Sequence, residues 1–231
     1  MKSKFGRVIT AMITPFAADG SLDVEGARSL AKWLVEQGNE ALVLAGTTGE
    51  SPTITQDEQI ELVEAVVDAV DVPIIAGAGS NDTRSAIANT QRCVDAGAQA
   101  ILSVTPYYNR PSQAGLMAHF AEVAASTELP IMLYDIPART GRALDADTIL
   151  QLADEVENIV AVKDAAGDVA STARLIAAAP EGFEVYSGED CLTLSLLAVG
   201  AVGTVSVASH WATPEMVVMM DAFFSGDMAT A

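Results

Sequence analysis

A single lysine stands at the end of an apolar run that could take its amine out of water. Lys163 is one of only four lysines in 231 residues, and it directly follows Ile159-Val160-Ala161-Val162. Alternation along a strand puts Lys163 on the face of Ile159 and Ala161, with Asp164 on the opposite face. If that face lines a protein interior, desolvation lowers the pKa of the ammonium, and the neutral amine can form a Schiff base with a ketone. The competing interpretation is a strand-end lysine whose ammonium reaches solvent.

A tyrosine and two threonines suit the same chemistry. Tyr134 ends the apolar run that precedes the run of Lys163, and its phenol could carry protons while a carbinolamine forms and dehydrates. The turn Gly46-Thr47-Thr48-Gly49 offers backbone N–H groups and two hydroxyls to a carboxylate. Taken alone, each feature also fits a structural role, a core tyrosine or a tight turn.

Two further loops carry side chains that could serve a keto acid site. Arg139 lies between Pro137 and Gly141, where its guanidinium could hold a carboxylate through two parallel hydrogen bonds or simply remain solvated. Tyr107 and Tyr108 begin a long loop, and tyrosines there fit an interface as well as a proton relay.

Composition excludes several classes of function. The 31 acidic and 12 basic residues give a formal charge of −19, a poor surface for nucleic acid or an anionic membrane. No apolar run reaches the roughly 18 residues of a membrane helix, and no signal peptide is recognisable, so we expect a cytoplasmic protein.

Cys93 and Cys191 lack a CxxC partner, which favours buried free thiols. His119 and His210 belong to no metal-binding pattern, and we expect no metal.

Eight short apolar runs must position these residues. Their starts lie mostly about 25 to 33 residues apart, the length of a βαβ unit, and their apolar character is typical of strands covered on both faces. They span residues 8–16, 41–45, 73–79, 100–106, 130–137, 159–165, 183–189 and 203–209. The segments between them have helical periodicity, as in 56–70, where Thr55 and Glu58 predict a capping box. The pattern predicts an α/β fold, a (β/α)8 TIM barrel, with a doubly wound open sheet as the alternative.

In such a barrel the active site lies at the C-terminal ends of the strands, where the candidate residues are found. We expect one barrel domain over residues 1–225, without an internal linker. A helix opening at Pro214 and running through Phe224 is followed by Ser225-Gly226-Asp227, which predicts a break and a new helix cap. Residues 226–231 are therefore interpreted as the start of a truncated C-terminal helical segment.

Four motifs, in this order, resemble the dihydrodipicolinate synthase family of pyruvate-dependent lyases, to which N-acetylneuraminate lyase is related. They are GTTGES at 46–51, TPYYNRP at 105–111, YDIPARTG at 134–141 and VKDAAGD at 162–168. The resemblance runs from about Gly6 to Phe224 and implies the TIM barrel fold.

The resemblance also implies catalytic roles. Lys163 would form the imine with pyruvate. Tyr134, Thr47 and Tyr108 would form a proton relay, in which Tyr108 reaches the active site of a neighbouring subunit.

The implied binding residues surround the same amine. Thr47 and Thr48 would bind the pyruvate carboxylate, and Gly188 and Val205 would line the pocket. Arg139 would hold the carboxylate of L-aspartate 4-semialdehyde at the entrance.

The implied reaction condenses pyruvate with L-aspartate 4-semialdehyde in the diaminopimelate route to lysine. It needs no cofactor beyond the covalent imine and takes place in a homodimer or homotetramer. Arg139 favours this reaction over sugar-acid cleavage. Two alternatives stay open: an N-acetylneuraminate or 2-keto-3-deoxy-sugar-acid lyase, which would use the same imine, and a truncated, catalytically silent barrel.

The sequence departs from the family pattern in three places. The C-terminal helical segment of other members is missing, which puts tetramer formation in doubt. Asp135 stands where many members have asparagine. Gln56, Gln59 and Ser85 occupy positions where histidines and a glutamate line a lysine-binding allosteric pocket in inhibited members, so we expect weak or absent feedback inhibition.

Overall fold

The computed structural model describes residues 3–231 and shows a closed barrel of eight parallel strands. Strand order follows chain order, and the last strand pairs with the first. The strands are β1 Val8–Ala11, β2 Ala41–Leu44, β3 Ile74–Gly77, β4 Ala100–Val104, β5 Ile131–Asp135, β6 Ile159–Asp164, β7 Glu184–Ser187 and β8 Gly203–Ser206. The predicted TIM barrel is confirmed, and the open-sheet alternative is wrong. Each strand is shorter than its predicted run because the run's last residues enter the loops at the barrel mouth.

Helices alternate with the strands and cover the outside of the barrel. In the described residues they are α1 Val24–Glu36, α2 Gln56–Val67, α3 Thr83–Asp95, α4 Gln113–Ala124, α5 Pro137–Thr140, α6 Ala146–Glu155, α7 Val169–Ala178, α8 Thr193–Ala198 and α9 Ser209–Ser225. The predicted capping box begins α2: the Thr55 hydroxyl accepts from the Glu58 N–H, and the Glu58 carboxylate accepts from the Thr55 N–H. The first turn of α2 is therefore fixed by local sequence.

The last helix begins earlier than predicted. α9 contains a kink at Ala212, and Pro214 stands just beyond it. There the missing proline N–H costs little, because the first N–H groups of a helical segment have no intrahelical partner. Gly226, with φ of +86°, ends the helix. Asp227 accepts from the Thr230 N–H as a cap would, although the residues between them form a turn rather than a helix.

Alternation along the strands separates an inner from an outer apolar cluster, and a small third cluster contains Val8, Leu197 and Met220. The inner cluster fills the lumen, and the outer cluster lies between strands and helices. Along β6, Ala161 belongs to the inner cluster and Val162 to the outer one. Ile159 belongs to the outer cluster, so its predicted place on the face of Lys163 is wrong.

The cause is an irregularity in the pairing of β5 with β6. Ile131 pairs with Ile159, but Met132 pairs with Ala161, so Val160 has no partner in the register. The extra residue restarts the alternation at Ala161. The prediction that Lys163 shares a face with Ala161 is confirmed, because both residues lie beyond the shift.

A buried hydrogen-bond chain holds the N-terminal segment against the bottom of the lumen. The Tyr186 hydroxyl donates to Glu184 at 2.6 Å and accepts from the Phe5 N–H at 3.3 Å. The Glu184 carboxylate also accepts from the Lys4 N–H at 2.9 Å. Burial and the adjacent Glu184 raise the pKa of Tyr186, so its phenol stays a donor. Phe5 thus plugs the lumen at the end opposite the predicted site.

The two cysteines differ in environment. Cys93 is buried in α3 as predicted, but Cys191 is exposed, because it follows the end of β7 in a short surface link. Within residues 3–231 neither thiol is bridged, and no cluster of three or more potential metal ligands occurs. No helix in the same range is long and apolar enough to cross a membrane.

Two buried carboxyls face the helices rather than the lumen. Asp135 and Asp164 are register partners at the ends of β5 and β6. The Asp135 carboxylate accepts from the Leu144 N–H, and the Asp164 carboxylate accepts from the Thr172 hydroxyl. Asp164 therefore turns away from Lys163, as predicted. Burial raises the pKa of Asp135 to about 6, and nearby Asp164 adds to the rise although the hydrogen bond from Leu144 opposes it.

We expect Asp135→Asn to stabilise the protein at alkaline pH. The folded pKa of about 6 lies above the unfolded value of about 3.9, so this carboxyl favours folding below about pH 4 and loses that contribution as the pH rises through 6. Asparagine keeps an oxygen for the Leu144 N–H without a charge. The expected gain at pH 8 is about 1 to 3 kcal/mol, shrinking at pH 4.5, measured by thermal unfolding.

Glu157→Gln also removes one negative charge, but at an exposed position. It is the control and should show no such pH dependence. An Asp135→Asn protein less stable than wild type at pH 8 would contradict the assignment.

Candidate active site

Lys163 lies in the lumen near the C-terminal mouth of the barrel. Its side chain follows Ala161 on the inner face of β6, and the residue is only 5% exposed. Burial lowers the pKa of the amine from 10.5 to about 8; Asp190 opposes this shift, and Arg139 assists it. About a tenth of the amine is then neutral at pH 7. The interpretation as a solvated strand-end lysine is wrong.

Tyr134 is the neighbour that the sequence predicted. It pairs in register with Lys163, and the lysine Nζ lies 4.3 Å from the centre of its ring. Burial raises the pKa of Tyr134, although a hydrogen bond with the Thr47 side chain and the charge of Arg139 act in the opposite direction. The phenol is therefore protonated at neutral pH and can act as a proton donor.

The turn after β2 brings Thr47 and Thr48 to the same mouth. Two non-glycine residues of this segment, Ala45 and Glu50, have left-handed φ values of 51° and 55°, a conformation that costs energy in an L-residue. The Thr14 hydroxyl donates to the Gly49 carbonyl at 2.6 Å and holds the turn against the end of β1. Strained backbone that its surroundings hold in place is a feature of binding sites.

Gly188 leaves the space that the lysine chain occupies. A Cβ at this position would lie 3.0 Å from both Cγ and Cε of Lys163 and 2.9 Å from the Ala165 Cβ. The Gly188 N–H donates to the Asp164 carbonyl at 2.7 Å, which fixes the close approach. Val205, on β8, is buried in the inner cluster. Both predicted lining residues therefore border the lumen.

Arg139 and Tyr108 stand at the rim. Arg139 lies on α5, is exposed, and acts electrostatically on both Lys163 and Tyr134. Tyr108 has a left-handed φ of 72° and is 90% exposed, while its N–H donates to the Thr140 carbonyl at 3.3 Å. Within one chain the Tyr108 phenol is thus outside the lumen, and its predicted role in a neighbouring subunit stays a prediction.

Sequence reasoning did not single out Asp190. This residue begins the short 3-10 helix Asp190–Leu192 after β7, and its carboxylate accepts from the N–H groups of Val207 and Ala208. It is the acidic group that opposes the effect of burial on Lys163. The available signal was its position, two residues beyond Gly188 at the same barrel mouth.

Together these groups can carry out imine chemistry. A partly neutral amine and a protonated phenol meet in the lumen, while the threonine hydroxyls of the turn after β2 and a guanidinium lie at the entrance. An amine attacks a keto group, the phenol supplies the protons that this step requires, and the rim holds a charged substrate.

Known proteins resemble this chain in sequence and in fold. Residues 4–231 match a family model described as the dihydrodipicolinate synthetase family. The chain is 52% identical over 226 residues to 4-hydroxy-tetrahydrodipicolinate synthase of Acidothermus cellulolyticus, covering 97% of this chain and 72% of that protein. The crystal structure of dihydrodipicolinate synthase from Bacillus anthracis superposes with a TM-score of 0.97 at 46% identity, covering 99% of this chain and 79% of that one. The Acinetobacter baumannii enzyme, determined in complex with pyruvate, gives a TM-score of 0.94 at 40% identity over the same shares.

We expect Gly188→Ala to disable Lys163 and to lower the stability of the protein without preventing it from folding. The added methyl would meet the lysine chain and Ala165, so the lysine must shift. The rate of borohydride trapping of an α-keto acid on Lys163 should fall by about tenfold or more, because small displacements of reacting groups are costly. Mass spectrometry measures the adduct, and thermal unfolding measures the fold.

Gly115→Ala, on α4, has ordinary 3.4 Å contacts and should leave trapping unchanged. Wild-type trapping in a folded Gly188→Ala protein would show that the close packing at Gly188 does not position the amine.

Proposed function

The chain belongs to the dihydrodipicolinate synthetase family, and we propose that it acts as a 4-hydroxy-tetrahydrodipicolinate synthase in which Lys163 binds pyruvate as an imine. It is a lyase of lysine and diaminopimelate biosynthesis, and its substrates are pyruvate and L-aspartate 4-semialdehyde. The observation that carries the assignment of the site is the buried Lys163 amine, 4.3 Å from the ring centre of Tyr134.

The first step is imine formation. The neutral Lys163 amine attacks the keto carbon of pyruvate. A C–N bond forms as the C=O π bond breaks, the nitrogen gives up a proton, and the former carbonyl oxygen takes one. The resulting carbinolamine loses this oxygen as water and leaves an iminium. Tyr134 donates and recovers the protons, and the nearby Thr47 side chain, which lowers the pKa of this phenol, supports a relay to the mouth.

Binding of pyruvate depends on the turn after β2. We assign its carboxylate to Thr47 and Thr48, whose hydroxyls and neighbouring N–H groups suit an anion. Gly188 and Val205 border the remaining space.

The second step joins the two substrates. The iminium makes the pyruvate methyl group acidic, because its nitrogen accepts the electron pair when a proton leaves. The enamine then attacks the aldehyde carbon, whose oxygen takes a proton. The amino group of this substrate next attacks the iminium carbon, which closes the ring and releases Lys163 as a free amine. The imine thus supplies the electron sink that another enzyme would take from a cofactor, and we propose that none is required. Arg139 at the rim is assigned to the carboxylate of the aldehyde substrate.

The rim supports a homodimer or a larger homo-oligomer. Tyr108 is 90% exposed on a backbone of left-handed conformation, a costly arrangement for a tyrosine in water. We propose that a second copy of the chain receives this phenol and completes the relay there. A cytoplasmic location stays a prediction.

Two alanine variants separate the roles of the site. Lys163→Ala should abolish the adduct formed with pyruvate and borohydride, because no amine remains. Arg139→Ala should leave this adduct intact and reduce kcat/KM for the aldehyde by about 100-fold, the order expected for losing a charged hydrogen bond. Intact-mass spectrometry and steady-state kinetics provide the two readouts.

The reverse pattern, with trapping lost in Arg139→Ala and kept in Lys163→Ala, would overturn both assignments. Turnover of sugar acids in preference to the semialdehyde would instead support the sugar-acid lyase alternative.

We also expect lysine to inhibit the enzyme weakly or not at all. The buried Gln59 side chain donates to the Gly77 carbonyl at 2.8 Å, and the Gln56 amide donates to Asn89 at 2.6 Å. With Ser85, these residues offer a lysine ammonium no carboxylate of their own. A lysine titration of the steady-state rate checks this expectation, which strong inhibition at sub-millimolar lysine would refute.

A further inference from the structure

The acidic residue beside the lumen has a carboxylate with two different environments. Asp190 follows Gly188 and Glu189, and Gly188 is packed against the Lys163 chain. One carboxylate oxygen, Oδ2, accepts from the Val207 N–H at 3.2 Å and from the Ala208 N–H at 2.9 Å. The side chain therefore fastens the link after β7 to the link after β8.

The other oxygen is buried without a partner. Asp190 Oδ1 is inaccessible to solvent and forms no hydrogen bond with any described residue. Burying a carboxylate oxygen without a hydrogen bond costs free energy. The link to Val207 and Ala208 does not explain this burial, because Oδ2 accepts both of those hydrogen bonds. The free oxygen points to a second role for this carboxylate.

The amine nearby lacks a salt bridge. Of the four ion pairs found among the described residues, none includes Lys163. The groups that act on this amine are Tyr134 from β5, Arg139 from α5 and Asp190 from the link after β7. Glu189 acts on Tyr134 instead. Asp190 is thus the acidic member of the set around Lys163.

We propose that Asp190 is a positioning residue, whose clamped carboxylate stabilises the positive charge that appears at Lys163 when the imine forms. The inference rests on the proposed function, because it concerns the iminium of that reaction. A fixed anion at the place where charge develops stabilises the charged species without reorganisation. The hydrogen bonds from Val207 and Ala208 hold the anion in place. Oδ1 accepts no hydrogen bond from a described residue, so its negative charge is not offset by a donor there.

Asp190→Asn tests this role because it separates charge from clamp. The amide oxygen of asparagine can still accept from Val207 and Ala208, whereas the negative charge is gone. Since the chain has only four lysines, ¹³C-ε-lysine labelling reports the Lys163 titration directly, with its signal assigned by loss in Lys163→Ala. We expect the midpoint to move down by about half a unit or more.

The trapping experiment gives a second readout. At pH 9, where the free amine is largely neutral in both proteins, Asp190→Asn should form at least about threefold less pyruvate adduct at subsaturating pyruvate, because its iminium is less stable. Glu181→Gln also removes one negative charge, at an exposed position just before β7. It is the matched control and should behave as wild type.

The outcomes are distinguishable. A folded Asp190→Asn protein with a wild-type lysine titration and wild-type trapping overturns the inference and leaves the proposed function intact. Wild-type protein that forms no pyruvate adduct overturns the proposed function, while the titration still reports on Asp190.

If Asp190→Asn does not fold, the wild-type protein carries the test. With carboxyl-¹³C aspartate, the Asp190 signal should show an inflection at the pH where Lys163 loses its proton, and this inflection should vanish in Lys163→Ala. A flat Asp190 signal through that pH overturns the inference.

Discussion

Removal of the Lys163 amine from water is the constraint on which the rest of this structure depends. An ammonium in an apolar lumen is unfavourable, and the protein responds by lowering its pKa to about 8. The lumen is apolar because alternate residues of the eight strands fill it and Phe5 plugs its far end. The barrel therefore creates the reactivity of the amine as well as its position.

Two acidic residues near Lys163 differ in whether they act on its amine. Asp164 is next to Lys163 in sequence, but it faces the helices. Its carboxylate accepts a hydrogen bond from the Thr172 hydroxyl and so stabilises the fold there. Asp190 is distant in sequence and acts on the amine. A carboxylate directly paired with Lys163 would hold the ammonium form and suppress attack. A clamped carboxylate in the adjacent link leaves the pKa of the amine low and, by our proposal, still stabilises the positive charge of an iminium.

Sequence patterns predicted much of this arrangement because they reflect local physical rules. Apolar runs at βαβ spacing predicted every strand, and the Thr55 and Glu58 pair predicted the start of α2. Tyr134 and Lys163 were expected on neighbouring strands, and they are register partners. The errors concern Ile159, Cys191 and the start of α9. Each depends on a feature without a local signature: a register shift, the exposure of a link, and a kink that allows a proline within one continuous helix.

The sequence by itself determined the fold class and the candidate residues gathered at the barrel mouth, with Lys163 as the proposed nucleophile, since periodicity, composition and motif order fix these. The tertiary structure alone decided how far the Lys163 pKa falls, which acid acts on the amine, and that Gly188 makes room for the lysine chain. Desolvation and electrostatics depend on distances between segments far apart in the chain. Those distances exist only after the barrel has closed.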